Sequence, residues 1–240
     1  MRVLVAGATG ALGKRLVPLL LKNGYDVSGT TRLAEKAEAL RRDGVHPVIV
    51  DAFDADALRE RLIEVKPEVV FHMLTDLPYG TKPEDMVEGG KRNARMRREG
   101  TPNLVAAALA GGARKMIAES IAWTYASGPE PHAERDPLDV DAAEPRQSSV
   151  RAVAALEHAV LNSPPLAGVV LRFGELYGPG TGHGATGSLP PVHVDAAVHA
   201  ALLAIDRAET GIFNVVEDNA QVSNAAARSQ LGWSPDSRIA

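Results

Sequence analysis

An apolar, β-rich run, Val3-Leu4-Val5-Ala6, passes directly into three glycines spaced Gly7-x-x-Gly10-x-x-Gly13, and this junction constrains the fold more than any other part of the chain. A strand, a glycine turn and the amphipathic run Lys14–Leu21 together make a unit whose helix N-terminus faces a phosphate. Gly7 lets the chain leave the strand in a tight turn, Gly10 lets the backbone approach a pyrophosphate, and Gly13 lets the helix pack closely on the sheet. Unpaired backbone N–H groups and the helix dipole favour negative charge there without a basic side chain. The same glycines would also suit a plain strand-to-helix turn; their place on the first strand favours a dinucleotide. The expected contacts are Gly7, Thr9, Gly10, Ala11, Leu12 and Gly13.

Short β-rich runs then alternate with longer helical patterns, which predicts right-handed β-α-β crossovers and a parallel sheet. Strands are expected at Arg2–Ala6, Asp26–Thr30, His46–Val50, Val69–Met73, Lys115–Glu119 and Gly168–Leu171, with Phe213–Val216 as a late edge strand. Helices are expected at Ala34–Asp43, Ala55–Val65, Met86–Ala110, Val150–Leu161 and Val194–Ala208. Ser127–Gln147, rich in Pro, Asp and Glu and without a period, reads as a surface loop near the mouth of a site. The fold class is thus α/β, a Rossmann-type doubly wound parallel sheet with a much reduced C-terminal substrate region. A single domain over 1–240 is expected, in which 174–195 and 217–240 form a small substrate-side subregion.

A formal net charge of −4 gives no electrostatic case for nucleic acid or an anionic membrane. Arg92, Arg95, Arg97 and Arg98 make the one basic cluster and read as an exposed helix face. With no cysteine the chain offers no disulfide, thiolate nucleophile or Cys-based metal site, and no His/Asp/Glu spacing suggests a metal. No apolar run reaches membrane-spanning length and the first residues read as a strand, so a cytoplasmic protein is expected.

The end of the second strand bears on the cofactor. An Asp or Glu about 20 residues after the glycines holds the ribose hydroxyls of NAD, whereas an Arg accommodates a 2′-phosphate. Here Thr31-Arg32 stands at that place with no acid until Glu35, which favours NADP(H) over NAD(H).

The GATGALG spacing, unlike the commoner G-x-G-x-x-G, resembles the short-chain dehydrogenase/reductase superfamily in its extended and atypical, NAD(P)-dependent epimerase/dehydratase-like branches. Val70-Phe71-His72-Met73-Leu74 resembles the fourth strand, Gly100-Thr101-Pro102-Asn103-Leu104 the start of the "GT-x-NLL" helix, and Leu171-Arg172 through Tyr177-Gly178-Pro179-Gly180 the "LR-x-x-x-x-YGPG" element. His193-Val194-Asp195-Ala196-Ala197 and Phe213-Asn214-Val215 resemble two further motifs, so the likeness covers nearly the whole chain. It implies adenine contact at Asp51 and Ala52 and further cofactor contact at Met73 and Leu74. In many relatives Met86–Ala110 and Val150–Leu161 form a dimer face; the arginines crowd charge there, and a monomer and a weak homodimer both stay open.

The resemblance also implies a Tyr-x-x-x-Lys pair in which Lys lowers the phenol pKa and Tyr exchanges a proton with the substrate. No such pair occurs in the sequence: alignment through Ala155-Leu156-Glu157 puts Ser149 at the tyrosine place, Val153 at the lysine place and Ile121 at that of the usual serine. At the strand ends, Tyr125 and Ser120 are the candidate catalytic residues, and Thr75, Trp123, Arg172 and Tyr177 the candidate substrate contacts. The loop Thr181–Pro191 is too short and glycine-rich to fold alone, and about 24 residues follow Val216, which points to a small substrate rather than a UDP-sugar. Two function classes follow: an NADP(H)-dependent oxidoreductase or isomerase working without the dyad, and a cofactor-binding sensor or scaffold without turnover.

Overall fold

The apolar runs that open the β-α units are buried along most of their length, as strands covered on both faces require. A computed structural model describes residues 1–77, 83–182, 184 and 187–239, with only the backbone of 83–86. The elements in chain order are β1 (Arg2–Ala6), α1 (Gly13–Lys22), β2 (Asp26–Thr31), α2 (Ala34–Arg42), β3 (His46–Ile49), α3 (Ala55–Val65), β4 (Val69–His72), α4 (Pro83–Arg95), α5 (Thr101–Ala110), β5 (Lys115–Ile121) and α6 (Arg146–Leu161). They continue with β6 (Ala167–Phe173), β7 (Glu175–Tyr177), β8 (Pro191–His193), α7 (Val194–Arg207), β9 (Gly211–Val215) and α8 (Ala225–Leu231). Seven strands form one parallel sheet in the order β3-β2-β1-β4-β5-β6-β9, with β9 at the edge as expected. Strand order reverses between β1 and β4, and at that switch point a doubly wound sheet opens its ligand crevice. Helices α1, α7 and α8 cover one face through Leu16, Leu20, Ala197, Ala201 and Leu231; α3, α5 and α6 cover the other through Leu58, Leu62, Leu104 and Leu156.

Two departures from the expected elements affect the site. First, the helix expected over Met86–Ala110 is broken by a π-turn at Met96–Gly100 between α4 and α5. Pro102 has no N–H to give the Arg98 carbonyl and its ring crowds that carbonyl, so the regular ladder cannot run through. Second, the Gly180-rich loop is bracketed by a small parallel pair, β7 with β8, so the segment is tied at both ends. Helix α6 also starts earlier than expected, at Arg146, whose guanidinium donates to the Trp123 and Tyr125 carbonyls and to Asp139.

The first and third glycines are needed by protein packing alone. Gly7 has φ +94° and a Cβ there would stand 2.3 Å from the Met73 carbonyl oxygen; a Cβ on Gly13 would stand 2.2 Å from that of Gly7. Gly13→Ala should therefore lower the unfolding free energy by about 3 kcal/mol or more, read by urea denaturation without cofactor; a change within about 0.5 kcal/mol would contradict this packing.

Candidate functional site

A cavity of about 780 Å³ opens at the C-terminal ends of β1, β2, β4 and β5. Gly7, Thr9, Gly10, Ala11 and Leu12 form its floor, where α1 begins with no side-chain cap and no acid in its first turn. The helix end thus presents backbone donors to the cavity without a protein carboxylate to compete for them. Gly10 differs from its neighbours: a Cβ there would lie 3.3 Å from the Gly7 carbonyl oxygen, a contact that a small shift relieves. Without a side chain, it leaves the cavity floor open to a close approach. Gly13 is not part of the lining; it serves the packing described above.

Thr31 and Arg32 line the cavity at the end of β2, and Thr31 Oγ1 accepts the Leu33 N–H at 3.2 Å. Exposed Lys36, one turn along α2, adds a second cation that sequence reasoning missed. Asp51 and Ala52 line the same end, and Asp51 Oδ1 accepts the Phe53 N–H at 3.0 Å, fixing the turn after β3. Met73, Leu74 and Thr75 line the wall after β4, and Ser120, Ile121 and Trp123 the wall after β5.

Tyr125, Arg172 and Tyr177 are not among the lining residues, contrary to expectation, because partners within the protein hold them. Arg172 and Glu157, 2% and 4% exposed, form a two-pronged pair, Nε–Oε1 2.8 Å and Nη2–Oε2 2.6 Å. Arg172 Nη1 donates to the Tyr125 hydroxyl at 2.9 Å, and that hydroxyl donates to Asn214 Oδ1 at 2.6 Å. Burial pushes the Tyr125 phenol up despite the opposing Arg172 charge, which leaves it poorly suited as an acid reached from the cavity. Burial disfavours the Arg172 cation, but Glu157 more than offsets it and holds the guanidinium firmly protonated. Ser120 borders the cavity, yet its hydroxyl donates to Glu157 Oε1 at 2.7 Å. Tyr177 donates to Glu217 Oε1 at 2.7 Å and meets the His193 ring edge-on, 5.1 Å between centroids. Asp195 pairs with Arg15 of α1, so the His193 element is tied to the helix that follows the glycine loop.

The most evident charges missed in the sequence are Arg97 and Glu119. The basic cluster was expected to be one exposed face, but only Arg92, Arg95 and Arg98 are exposed; Arg97, in the π-turn, is 6% exposed and borders the cavity. Glu119 interrupts an otherwise apolar stretch of β5 and also borders the cavity. Burial pushes its carboxyl up to about 7, against the opposing pull of Arg97. A carboxylate inside an apolar strand was the available signal. His72, 1% exposed, accepts the Leu74 N–H at Nδ1 (3.4 Å), so Nε2 carries the proton and donates to Thr101 Oγ1 at 2.7 Å. Burial, then the nearby Arg97 charge, lowers His72 to about 4 and keeps it neutral.

The sequence profile of the NAD dependent epimerase/dehydratase family matches residues 3–203. The chain belongs to this family. Among its relatives, a 3-diazoavenalumate denitrifying reductase from a Streptomyces species is 42% identical over 239 residues, covering 91% of this chain and 76% of that protein. A UDP-glucose 4-epimerase of Mycolicibacterium smegmatis is 33% identical over 150 residues, 60% of this chain and 46% of that protein. Of solved epimerase-type folds, the Thermotoga maritima UDP-glucose 4-epimerase with UDP-glucose superposes at TM-score 0.82 with 20% identity, over 98% of this chain and 94% of that one. The Bordetella bronchiseptica enzyme WbmG with NAD superposes at TM-score 0.77 with 19% identity, over 100% and 90% of the two chains. The residues described above fit a nicotinamide dinucleotide, with a free helix N-terminus for its phosphates and no side chain at Gly10.

Two substitutions check this account. Gly10→Val should weaken dinucleotide binding by at least tenfold in calorimetric titration while the melting temperature stays within a few degrees of the parent; retained affinity would contradict it. Glu157→Ala should cost about 3–5 kcal/mol in denaturant unfolding by stranding Arg172, whereas the double change to Met at 157 and 172 should cost clearly less.

Proposed function

We propose that this protein is an NADP(H)-dependent reductase that delivers hydride to a small substrate needing no proton from a protein group, and that this substrate carries a diazo group. One observation carries the reading. Among the described residues lining the cavity there is no tyrosine, and the lining lysine, Lys36, stands on α2 at the adenosine end. Carbonyl reduction needs an acid beside the developing alkoxide. Ser120 has its proton committed to Glu157, and Val153, aligned with the family's lysine, is buried and apolar.

Reductive loss of dinitrogen from a diazonium carbon has no such need. A hydride from the reduced nicotinamide forms the new C–H bond, the C–N bond breaks, and N₂ departs with that bond's electron pair; charge and atoms balance with no proton added. A neutral diazo compound enters the same balance after taking one proton from water. The cofactor supplies the hydride, and the protein binds and orients. The relative named as a denitrifying reductase of 3-diazoavenalumate supports this substrate class. Arg32 and Lys36 support NADP(H): two cations line the cavity after β2, and a 2′-phosphate would pair with such charges.

NADPH should bind at least tenfold more tightly than NADH, and Arg32→Ala should remove most of that difference; equal affinities in the parent would overturn the cofactor assignment. With an arene diazonium acid, loss of reduced-nicotinamide absorbance should match N₂ release, and deuterated cofactor should place deuterium on the carbon that lost nitrogen. Cofactor binding without turnover would indicate a sensor. Interconversion of UDP-glucose would place the protein with the epimerases.

A further inference from the structure

The geometry points to Arg97 as the receptor for a carboxylate on the substrate, with Asn93 as a second donor and Glu119 as the opposing charge that tunes it. The inference rests on the cavity being a nicotinamide and substrate site; it does not depend on the diazo group.

Arg97 is 6% exposed, borders the cavity, and has neither a hydrogen bond nor an ion pair among the described residues. Its nitrogens make no bond within the described protein and are opposed only at a distance by Glu119 and Glu157, so its donors are left to the cavity, where an anion would pair with them. The nearby acids do not supply one. Glu157 is consumed by Arg172 and Ser120, and Glu119 makes no ion pair with Arg97. Asn93, four residues earlier and 5% exposed, also borders the cavity; its carboxamide oxygen accepts the Asp76 N–H at 3.1 Å, and its nitrogen donates to no described residue. Four residues apart, the two share one side of the helical run and both border the cavity; Arg97 lies in the π-turn, and such turns recur at functional sites.

The cofactor has its own charge partners elsewhere. The start of α1 would hold its phosphates, and Arg32 and Lys36 would hold a 2′-phosphate; all line the cavity on the β1–β2 side of the switch point. Arg97 belongs to the β4–β5 side with Glu119, Ser120 and Trp123, where the nicotinamide and substrate remain to be held. A planar carboxylate fits the guanidinium fork with two parallel hydrogen bonds.

The groups facing this point are Arg97 in the π-turn, Glu119 on β5, neutral His72 on β4, and the Glu157–Arg172 pair of α6 and β6, which cancels itself. Glu119 therefore sets the net charge. Protonated, it withdraws the stronger of the two charges that oppose Arg97 and leaves the site more cationic; ionised, it offsets Arg97 and disfavours an anion. Anion affinity should fall as pH rises through about 7.

The test is titration of the NADP⁺ complex with a non-reactive hydroxycinnamic acid and with its methyl ester, using the parent, Arg97→Met, Arg97→Lys and Glu119→Gln. The parent should prefer the acid to the ester by tenfold or more. Arg97→Met should lose that preference while keeping cofactor affinity and a melting temperature at or above the parent's, because removing an unpaired buried charge relieves strain on the fold. Arg97→Lys should restore part of the preference, and Glu119→Gln should flatten the fall in acid affinity between pH 6 and 8. Unchanged acid preference in Arg97→Met would overturn the inference, as would a loss confined to cofactor affinity, which would assign Arg97 to the nicotinamide. If the parent reduces diazonium acids but Arg97→Met keeps its KM for acid and ester alike, the proposed reaction stands and this inference fails. If the parent binds carboxylates through Arg97 but reduces no diazo compound, the reverse holds.

Discussion

The ion pair between Glu157 and Arg172 organises the half of the molecule where chemistry would occur. Two charges almost wholly removed from water are tolerable only because each prong is hydrogen-bonded, and the remaining donors and acceptors are satisfied by Ser120, Tyr125 and the Glu134 carbonyl. Through these contacts α6 is locked to β5 and β6, and the segment after β5 is held against Asn214 of β9. The same closure withdraws a tyrosine and an arginine from the cavity and engages the hydroxyl of the serine that borders it. What the pair consumes for architecture is unavailable for catalysis.

That withdrawal defines the character of the site by subtraction. Arg97, Arg172 and Glu157 are buried and Glu119 is half-buried near the ends of β5 and β6; Arg172 and Glu157 neutralise each other, and Arg97 and Glu119 remain facing the cavity without a bond between them. A pair that has not closed keeps both its charge and its capacity to titrate. The protein thus retains an electrostatic contrast, one cation and one carboxyl, on the cavity wall.

Much of the scaffold was legible in the sequence because its causes are local. The run Val3–Ala6 with the following glycines, the order of strands, and the edge position of β9 follow from periodicity and turn chemistry acting over a few residues. The glycine floor of the cavity was legible for the same reason. The catalytic candidates were not, because their fates depend on contacts between distant positions: Tyr125 meets Asn214 across 89 residues, and Tyr177 meets Glu217 across 40. Arg97 was read as one more surface cation because the sequence does not show which side of Met86–Ala110 packs inward; in the structure the cluster divides into three exposed arginines and a buried one, which lies in the π-turn.

The π-turn also fixes a phase relation along the chain. A regular helix advances about 100° per residue, and a π-turn accommodates one residue more than the α-ladder would hold. Deleting a single residue between Met96 and Gly100 would let α4 and α5 run on as one helix, and the side chains before the deletion would swing by about a quarter turn relative to α5. Asn93 and Arg97 would leave the cavity wall together, although no residue lining it had been replaced. The identity of the site is thus held partly in chain length: in this stretch the count of residues matters as much as their kind.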